Sequence, residues 1–187
     1  SGNDITLDTS TNNFAAAVVI TSGEDVTLVD EDAIDLGAAT ITRTYNVTAG
    51  GAITNSGALV ITRNATFEAG SSNDITLDNT SNNFKRAVNI TSGKDVTLVD
   101  TNGIILGTST VSGTYDVTAA GDIIDYNALV ITGITTLEAG SGNDITLNTS
   151  TNNFAAAVVI TSGNNVAITD EDAIDLGAAT VSGTYSV

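Results

Sequence analysis

Proline, cysteine, methionine, tryptophan and histidine are all absent from the 187-residue sequence. Without cysteine, the chain can form neither disulfides nor thiolate metal sites, and it has no thiol nucleophile. Without histidine, it lacks the side chain that most often transfers protons near neutral pH, and a metal would have to be bound by oxygen ligands. The absence of proline suits extensive strand pairing, because proline deletes a ladder hydrogen bond.

Basic residues are scarce, with 5 against 22 acidic residues and a formal net charge of −17. Nucleic acid and anionic membranes are bound mainly through lysine and arginine, so the sequence predicts neither as a partner. No apolar stretch approaches the ~20 residues that span a bilayer, and we expect no membrane insertion. The few basic residues are scattered along the chain, at Arg43, Arg63, Lys85, Arg86 and Lys94.

The sequence repeats itself. TNNFAAAVVITSG at 11–23 recurs without change at 151–163, and SGNDITL at 1–7 returns as SSNDITL at 71–77. The chain therefore has a 70-residue period, and self-similarity at such a period is the signature of a repeat architecture. We expect one domain over residues 1–187, built from units 1–70 and 71–140 and a partial unit 141–187.

A shorter motif recurs inside each unit: a Gly-rich turn, often an Asp, and then an apolar-polar-apolar triplet such as Ile5-Thr6-Leu7. Successive triplets are 21, 27 and 22 residues apart, and each segment is too short to bury a core alone. Alternation with period two and β-branched residues predict strands. The sequence thus predicts an all-β, right-handed parallel β-helix (β-solenoid), with three rungs per unit and about eight rungs of ~4.8 Å each, ~38 Å long. The right hand follows from the general preference of parallel crossovers.

Differences between the copies indicate which side chains point inward. Val19 becomes Asn89 while both neighbours stay apolar, so this position faces solvent. The Ala-Ala pair at 15–16 becomes Lys-Arg at 85–86, which an interior strand could not accept unpaired. We therefore expect one corner there and a second at 42–43, which gives each rung about three short strands.

The densest acidic clusters are DEDAID at 30–35 and its copy at 170–175. Ca²⁺ takes six to eight oxygen ligands, so these carboxylates are candidate metal ligands, although the spacing is not that of an EF-hand. The middle copy loses most of the charge, which favours a solvated acidic loop without metal as the alternative. Ca²⁺ is the one cofactor that the sequence suggests, with candidate ligands Asp30, Glu31, Asp32, Asp35, Asp170, Glu171, Asp172 and Asp175.

Two further series could line the rod. An Asp opens most rungs and would form a column along one corner, either sharing Ca²⁺ or hydrogen-bonding the backbone of its own turn. Outward threonines would form a ladder on one face, which resembles ice-binding solenoids, although threonine is also ordinary on the polar side of a strand. The two series are Asp4, Asp25, Asp74, Asp95, Asp122 and Asp144, and Thr6, Thr27, Thr76, Thr97 and Thr146.

Catalysis is not expected. A glycosidase with paired carboxylates needs one unique pair at a set separation, whereas the acidic clusters here repeat with the units. Two series of aromatic residues also recur once in each unit, and we expect them to fill the core. They are Phe14, Phe84, Phe154, Tyr45, Tyr115 and Tyr185.

Near-identical 70-residue units with Thr/Asn/Gly-rich turns and motifs such as GNDITL, TSGEDVTL and GALVIT resemble the stalks of large bacterial exoproteins, the filamentous-haemagglutinin-like adhesins. The resemblance implies a structural stalk or spacer in a secreted or cell-surface protein. Its partners would be neighbouring repeats of the same protein, with end-to-end or lateral self-association. The alternative is a module that binds Ca²⁺ or a glycan along the repeated face, or, less favoured, ice.

Overall fold

The computed structural model describes residues 3–187, whose regular structure consists of β-strands alone. Within that range no helix has the length and hydrophobicity that a membrane crossing requires. The strands are β1 Ile5–Leu7, β2 Val18–Gly23, β3 Val26–Asp30, β4 Ile34–Ile41, β5 Tyr45–Ala49, β6 Ile53–Asn55, β7 Leu59–Ile61, β8 Ala65–Glu68, β9 Ile75–Leu77, β10 Asn83–Phe84, β11 Ala87–Gly93, β12 Val96–Asp100, β13 Ile104–Val111, β14 Tyr115–Ala119, β15 Ile123–Asp125, β16 Leu129–Ile131, β17 Thr135–Glu138, β18 Ile145–Leu147, β19 Asn153–Phe154, β20 Val158–Gly163, β21 Val166–Ile168, β22 Leu176–Val181 and β23 Tyr185–Ser186.

The strands form two parallel sheets that wind together as a β-solenoid of about 9 turns. The first sheet has 12 strands and follows the order β1-β3-β5-β8-β11-β13-β15-β18-β21-β23, with β16 and β19 beside this path. The second has 11 strands, and its main path runs β4-β6-β9-β12-β14-β17-β20-β22. We call the edge where the chain passes from the first sheet to the second the outgoing edge, and the opposite one the return edge. The β-solenoid predicted from the sequence is confirmed, and its right hand stays a prediction.

The 70-residue unit makes three and a half turns. Ile5 opens β1 and Ile145 opens β18, and seven steps along the first sheet separate these strands. Each turn therefore takes one seventh of the interval from Ile5 to Ile145, on average twenty residues, and the sheets exchange roles from one unit to the next. Accordingly Ile5 pairs with Val26 in the first sheet, whereas its equivalent Ile75 pairs with Val96 in the second.

The expected three rungs per unit are thus wrong by half a turn. The 27-residue interval between the triplets at Val26 and Ile53 is not one turn, because Val26 pairs with Tyr45 in the first sheet and Ile53 pairs with Ile34 in the second. The prediction of three short strands per rung is correct for only some of the turns. Long strands such as β4 (Ile34–Ile41) pair with two short ones in the next turn, β6 and β7, so some turns have two strands and others three.

Aliphatic and aromatic side chains fill the space between the sheets. One inward column runs through Leu77, Leu98, Val117 and Leu137, all fully buried. Removing apolar surface from water contributes about 25 cal/mol per Å², and each added turn extends the same columns. Of the aromatic residues predicted to fill the core, Tyr45, Tyr115, Phe84 and Phe154 are buried, whereas Tyr185 at the last turn is 38% exposed and Phe14 in the first turn packs only partly against the core.

The predicted corners are confirmed. Residues 85–86 lie exposed between β10 and β11, and residues 42–43 lie exposed between β4 and β5. Val19 is 64% exposed, as its replacement by Asn89 indicated. At Gly70 and Gly140 the turn requires the left-handed region, with φ of 79° and 81°, which glycine adopts at little steric cost.

Candidate functional site

Asp30, the first of the predicted calcium ligands, is a buried structural carboxylate. It ends β3 at the outgoing edge and is 2% exposed. Its Oδ2 accepts the backbone N–H of Phe14 at 2.8 Å, and its Oδ1 accepts that of Asp32 at 2.9 Å. Hydrogen bonds from backbone N–H groups stabilise a carboxylate that is removed from water. Asp30 therefore ties the loop of one turn to the loop of the turn before it.

The same arrangement recurs at Asp100, in the copy that lost the other acidic residues. The Asp100 carboxylate accepts the N–H of Phe84 at 2.7 Å and that of Asn102 at 2.7 Å. Burial raises the pKa of Asp100, and the two backbone hydrogen bonds oppose that shift. In the last unit Asp170 accepts from Phe154 at 3.4 Å. A role in joining turns explains why this one Asp is kept in all three units.

The other acidic residues of the two clusters lie at the surface. Asn13 Nδ2 donates to Asp32 Oδ2 at 2.9 Å and to Glu31 Oε1 at 3.4 Å, and Asp35 Oδ1 accepts the N–H of Ser56 at 2.8 Å. In the last unit one amide is again shared by two carboxylates, and Asp175 is exposed. The amide of Asn153 reaches Glu171 at 3.1 Å and Asp172 at 3.5 Å.

Across residues 3–187 the structure brings together no group of three or more acidic side chains that could hold a metal ion. The buried oxygens of Asp30 are already occupied by backbone donors, which leaves Glu31 and Asp32 as the accessible carboxylates of that loop. Binding of Ca²⁺ to the two acidic loops stays a prediction.

The aspartates that open the rungs form three short pairs on alternating edges rather than one column. Asp4 and Asp25 lie on the return edge, whereas Asp74 and Asp95 precede strands of the second sheet and lie on the outgoing edge. The half-turn offset between units separates them. A shared column of carboxylates along one corner is therefore wrong.

Each of these side chains bonds to the next turn, not to its own as the sequence suggested. Asp4 Oδ1 accepts the N–H of Asp25 at 3.2 Å, and Asp25 Oδ1 accepts the hydroxyl of Thr44 at 2.7 Å and its N–H at 3.2 Å. The Thr44 hydroxyl, followed by its N–H, lowers the pKa of Asp25. Asn165 takes the same place under Thr184. These acids and amides hold neighbouring turns together at the edges.

The predicted threonine ladder is also split. Thr6 pairs with Thr27 in the first sheet, whereas Thr76 pairs with Thr97 in the second. Asn46 follows Thr27 on the first face. A continuous flat threonine array, which the ice-binding alternative needs, is not formed by these residues.

Sequence reasoning missed an amide that is buried in two of the three long loops. Asn82 is fully buried; its Nδ2 donates to the Leu77 carbonyl at 3.1 Å, and its Oδ1 accepts from Leu59 N at 2.9 Å and Asn55 Nδ2 at 2.8 Å. The equivalent Asn152 donates to the buried carboxylate of Asp125 at 2.7 Å. The signal was present, because asparagine stands at this position in all three units while the residue before it varies.

Three of the five basic residues lie together in space. Arg43, Arg63 and Arg86 lie on three consecutive turns of the return edge and line one open groove of about 510 Å³ together with Thr44 and Asn64. Their spacing in sequence, 20 and 23 residues, follows the turn length, which the assumed rungs of 21, 27 and 22 residues had hidden.

Three consecutive stretches of the chain, residues 23–91, 93–161 and 163–187, match the model of a family described as repeats of unknown function (DUF5649). The chain belongs to this family. The matches begin at Gly23, Gly93 and Gly163, which occupy equivalent positions at the ends of β2, β11 and β20, so the family repeat and the 70-residue unit coincide. No curated protein and no solved structure matches the chain.

Proposed function

We propose that the chain is a structural stalk or spacer segment of a secreted or cell-surface protein, similar in role to the stalk of an adhesin. The observation that carries this proposal is the unbroken parallel pairing from β1 to β23 through both sheets. Neighbouring turns share inward columns and edge hydrogen bonds, so bending the rod anywhere would break several contacts together. The partners of such a segment are the neighbouring repeats, and the role requires no catalysis.

The charge of the chain supports this role. A solenoid ends in unpaired strand edges, which are templates for aggregation. The net charge of −17 makes such rods repel one another at low ionic strength. Glu31, Asp32, Glu171 and Asp172 are exposed along the outgoing edge. A stalk of this kind would keep its side faces in solution while it extends by whole units.

The test is small-angle X-ray scattering on chains of two, four and six units. Three and a half turns spaced by ~4.8 Å predict that each unit lengthens the rod by ~17 Å while its cross-section stays constant. As a control, a glycine/serine-rich segment of the same length replaces one internal unit, and the flexible segment should abolish the even increment. A maximum dimension that stops rising with unit number, or a cross-section that grows, would refute the spacer function.

A further inference from the structure

The three arginines of the return edge form one ladder. Arg63 N–H donates to the Arg43 carbonyl at 3.2 Å, and the pairing of Val88 with Ala65 places Arg86 one turn beyond Arg63. All three side chains are exposed and share the groove described above. With strands ~4.8 Å apart, the first and last arginine of the ladder are separated by ~10 Å.

This concentration of charge is unusual for the chain. Three of its five basic residues are in one groove, although 22 acidic residues are available to pair with them. Arg43 pairs with Asp25 at 3.2 Å, whereas neither Arg63 nor Arg86 has an ion-pair partner among residues 3–187. Like charges on adjacent turns repel each other, so the ladder does not stabilise the fold by itself.

The repeat provides an internal comparison, which shows that the fold does not need arginine here. The equivalents of Arg43 and Arg63 in the next unit are Gly113 and Gly133, on the outgoing edge, and Gly133 N–H donates to the Gly113 carbonyl at 2.9 Å. The backbone ladder is thus the same with small neutral residues. The equivalent of Arg86 is Ala156. The basic side chains are therefore confined to one edge of one stretch, and packing gives no reason for them.

The groove is short. On the same edge Asp4 and Asp25 come before it, and Asp122 and Asp144 come after it. A long polyanion lying along the rod would meet these carboxylates on both sides of the arginines, so the geometry disfavours nucleic acid and other extended polyanions. A compact ligand in the groove would meet only one of these carboxylates, that of Asp25, which already pairs with Arg43.

We propose that Arg43, Arg63 and Arg86 form a binding site for a compact polyanion that presents several phosphate, sulfate or carboxylate groups, as a small acidic saccharide does. Guanidinium groups bind such oxygens bidentately, and Arg63 and Arg86 have their donors free of ion pairs for this purpose. Thr44 and Asn64 add polar groups to the walls of the groove. The proposal does not depend on the spacer function, since a site of this kind could stand on any rigid rod.

The test is calorimetric titration of the whole chain at low ionic strength with inositol hexakisphosphate, and with sucrose octasulfate and citrate to distinguish phosphate, sulfate and carboxylate groups. We expect one site per chain. Arg63→Gln should weaken binding at least about tenfold, the loss that a hydrogen bond between charged groups predicts. Lys94→Gln is the matched control, because it removes one charge from the outgoing edge, where Lys94 already pairs with Asp95 at 2.7 Å, and should change the affinity less than about twofold.

Arg86→Ala is a second variant, chosen because alanine stands at the equivalent position in the other units. Circular dichroism and the urea midpoint of each variant establish that the solenoid is intact. Equal losses in Arg63→Gln and Lys94→Gln would mean that net charge alone governs binding, and would overturn the proposal. So would an absence of binding for all three probes.

Discussion

The hydroxyl of Tyr45 offers a sharp test of the packing. Tyr45 opens β5, is fully buried, and its ring meets the Phe67 ring edge to face with centroids 6.2 Å apart. Its hydroxyl has no hydrogen-bond partner within the described chain. Burial raises the pKa of this hydroxyl far above the ordinary value for tyrosine. The oxygen is therefore a polar atom that folding removes from water without compensation.

Tyr45→Phe should stabilise the protein. An unpaired buried polar group costs about 1–3 kcal/mol. The small void left by the oxygen offsets a few tenths of this, at roughly 24 cal/mol per Å³. We expect the free energy of unfolding to rise by about 1–2 kcal/mol. Tyr185, the equivalent residue in the last turn, is 38% exposed, so Tyr185→Phe should leave that free energy nearly unchanged.

The pH dependence gives a second readout. In the unfolded chain Tyr45 loses its proton near pH 10, whereas in the folded chain its pKa is raised, so above pH 10 the folded state binds more protons. The contribution of Tyr45 to stability is then constant below pH 10 and falls as the pH rises toward the folded pKa. Tyr45→Phe should remove a slope of about 1.4 kcal/mol per pH unit in this window.

Urea unfolding followed by far-UV circular dichroism between pH 7 and 11.5 measures both effects. A drop of about 1 kcal/mol or more in Tyr45→Phe at pH 7 would mean that the hydroxyl is hydrogen-bonded, and it would refute this reasoning. An unchanged alkaline slope would show that the group titrates normally in the folded protein.

The same unfolding assay tests three further contacts against controls from the repeat. Leu77→Ala should lower the free energy of unfolding by about 2–5 kcal/mol. Leu7, the equivalent residue in the first unit, is 41% exposed, so Leu7→Ala should lower it by under about 1 kcal/mol. Asn82→Ala should cost about 2–4 kcal/mol because it leaves buried backbone groups unpaired. Asn12→Ala breaks one bond in the half-buried first turn and should cost about 1 kcal/mol. Asn165 lowers the pKa of Asp144, mainly through its backbone N–H. Asp144 therefore stabilises the fold above the pKa of the unfolded chain, and this stabilisation is lost as the pH falls through the lower pKa of the folded state. Asp144→Asn should make the loss of stability with falling pH shallower.

Much of the fold could be predicted because the copies of the repeat differ at exposed positions, where polar and charged replacements are tolerated. The exchange of Val19 for Asn89 identified an outward position, and the charged pair at 85–86 identified a corner. Both inferences depend on the cost of burying a polar group, which acts on one residue at a time. Alternation along each strand then located the core without knowledge of which strands pair.

The pairing itself could not be predicted from that alternation. Ile53-Thr54-Asn55 opens with the same apolar-polar pair as Val26-Thr27-Leu28 and likewise buries its first and third residues, because both sheets point alternate residues into one shared core. Nothing in the pattern says which sheet a triplet joins. Strand lengths also vary, and β4 (Ile34–Ile41) covers the space that two strands and a bend occupy in the next turn. The arginine groove was the feature least open to prediction, since its three residues line up only when the correct turn length is known.

The half-turn explains why the closest copies are two units apart and not one. DEDAID at 30–35 and its copy at 170–175 both lie on the outgoing edge, whereas their middle equivalent DTNGII at 100–105 lies on the return edge. Core positions have the same surroundings in either orientation, so packing alone would not distinguish odd from even units. A function that uses only one side of the rod would distinguish odd from even units, because equivalent residues return to the same side only after seven turns. Surface chemistry that serves one side is therefore expected to recur every second unit in a longer array, whereas the arginine groove does not, because Gly183 stands two units beyond Arg43 on the same edge.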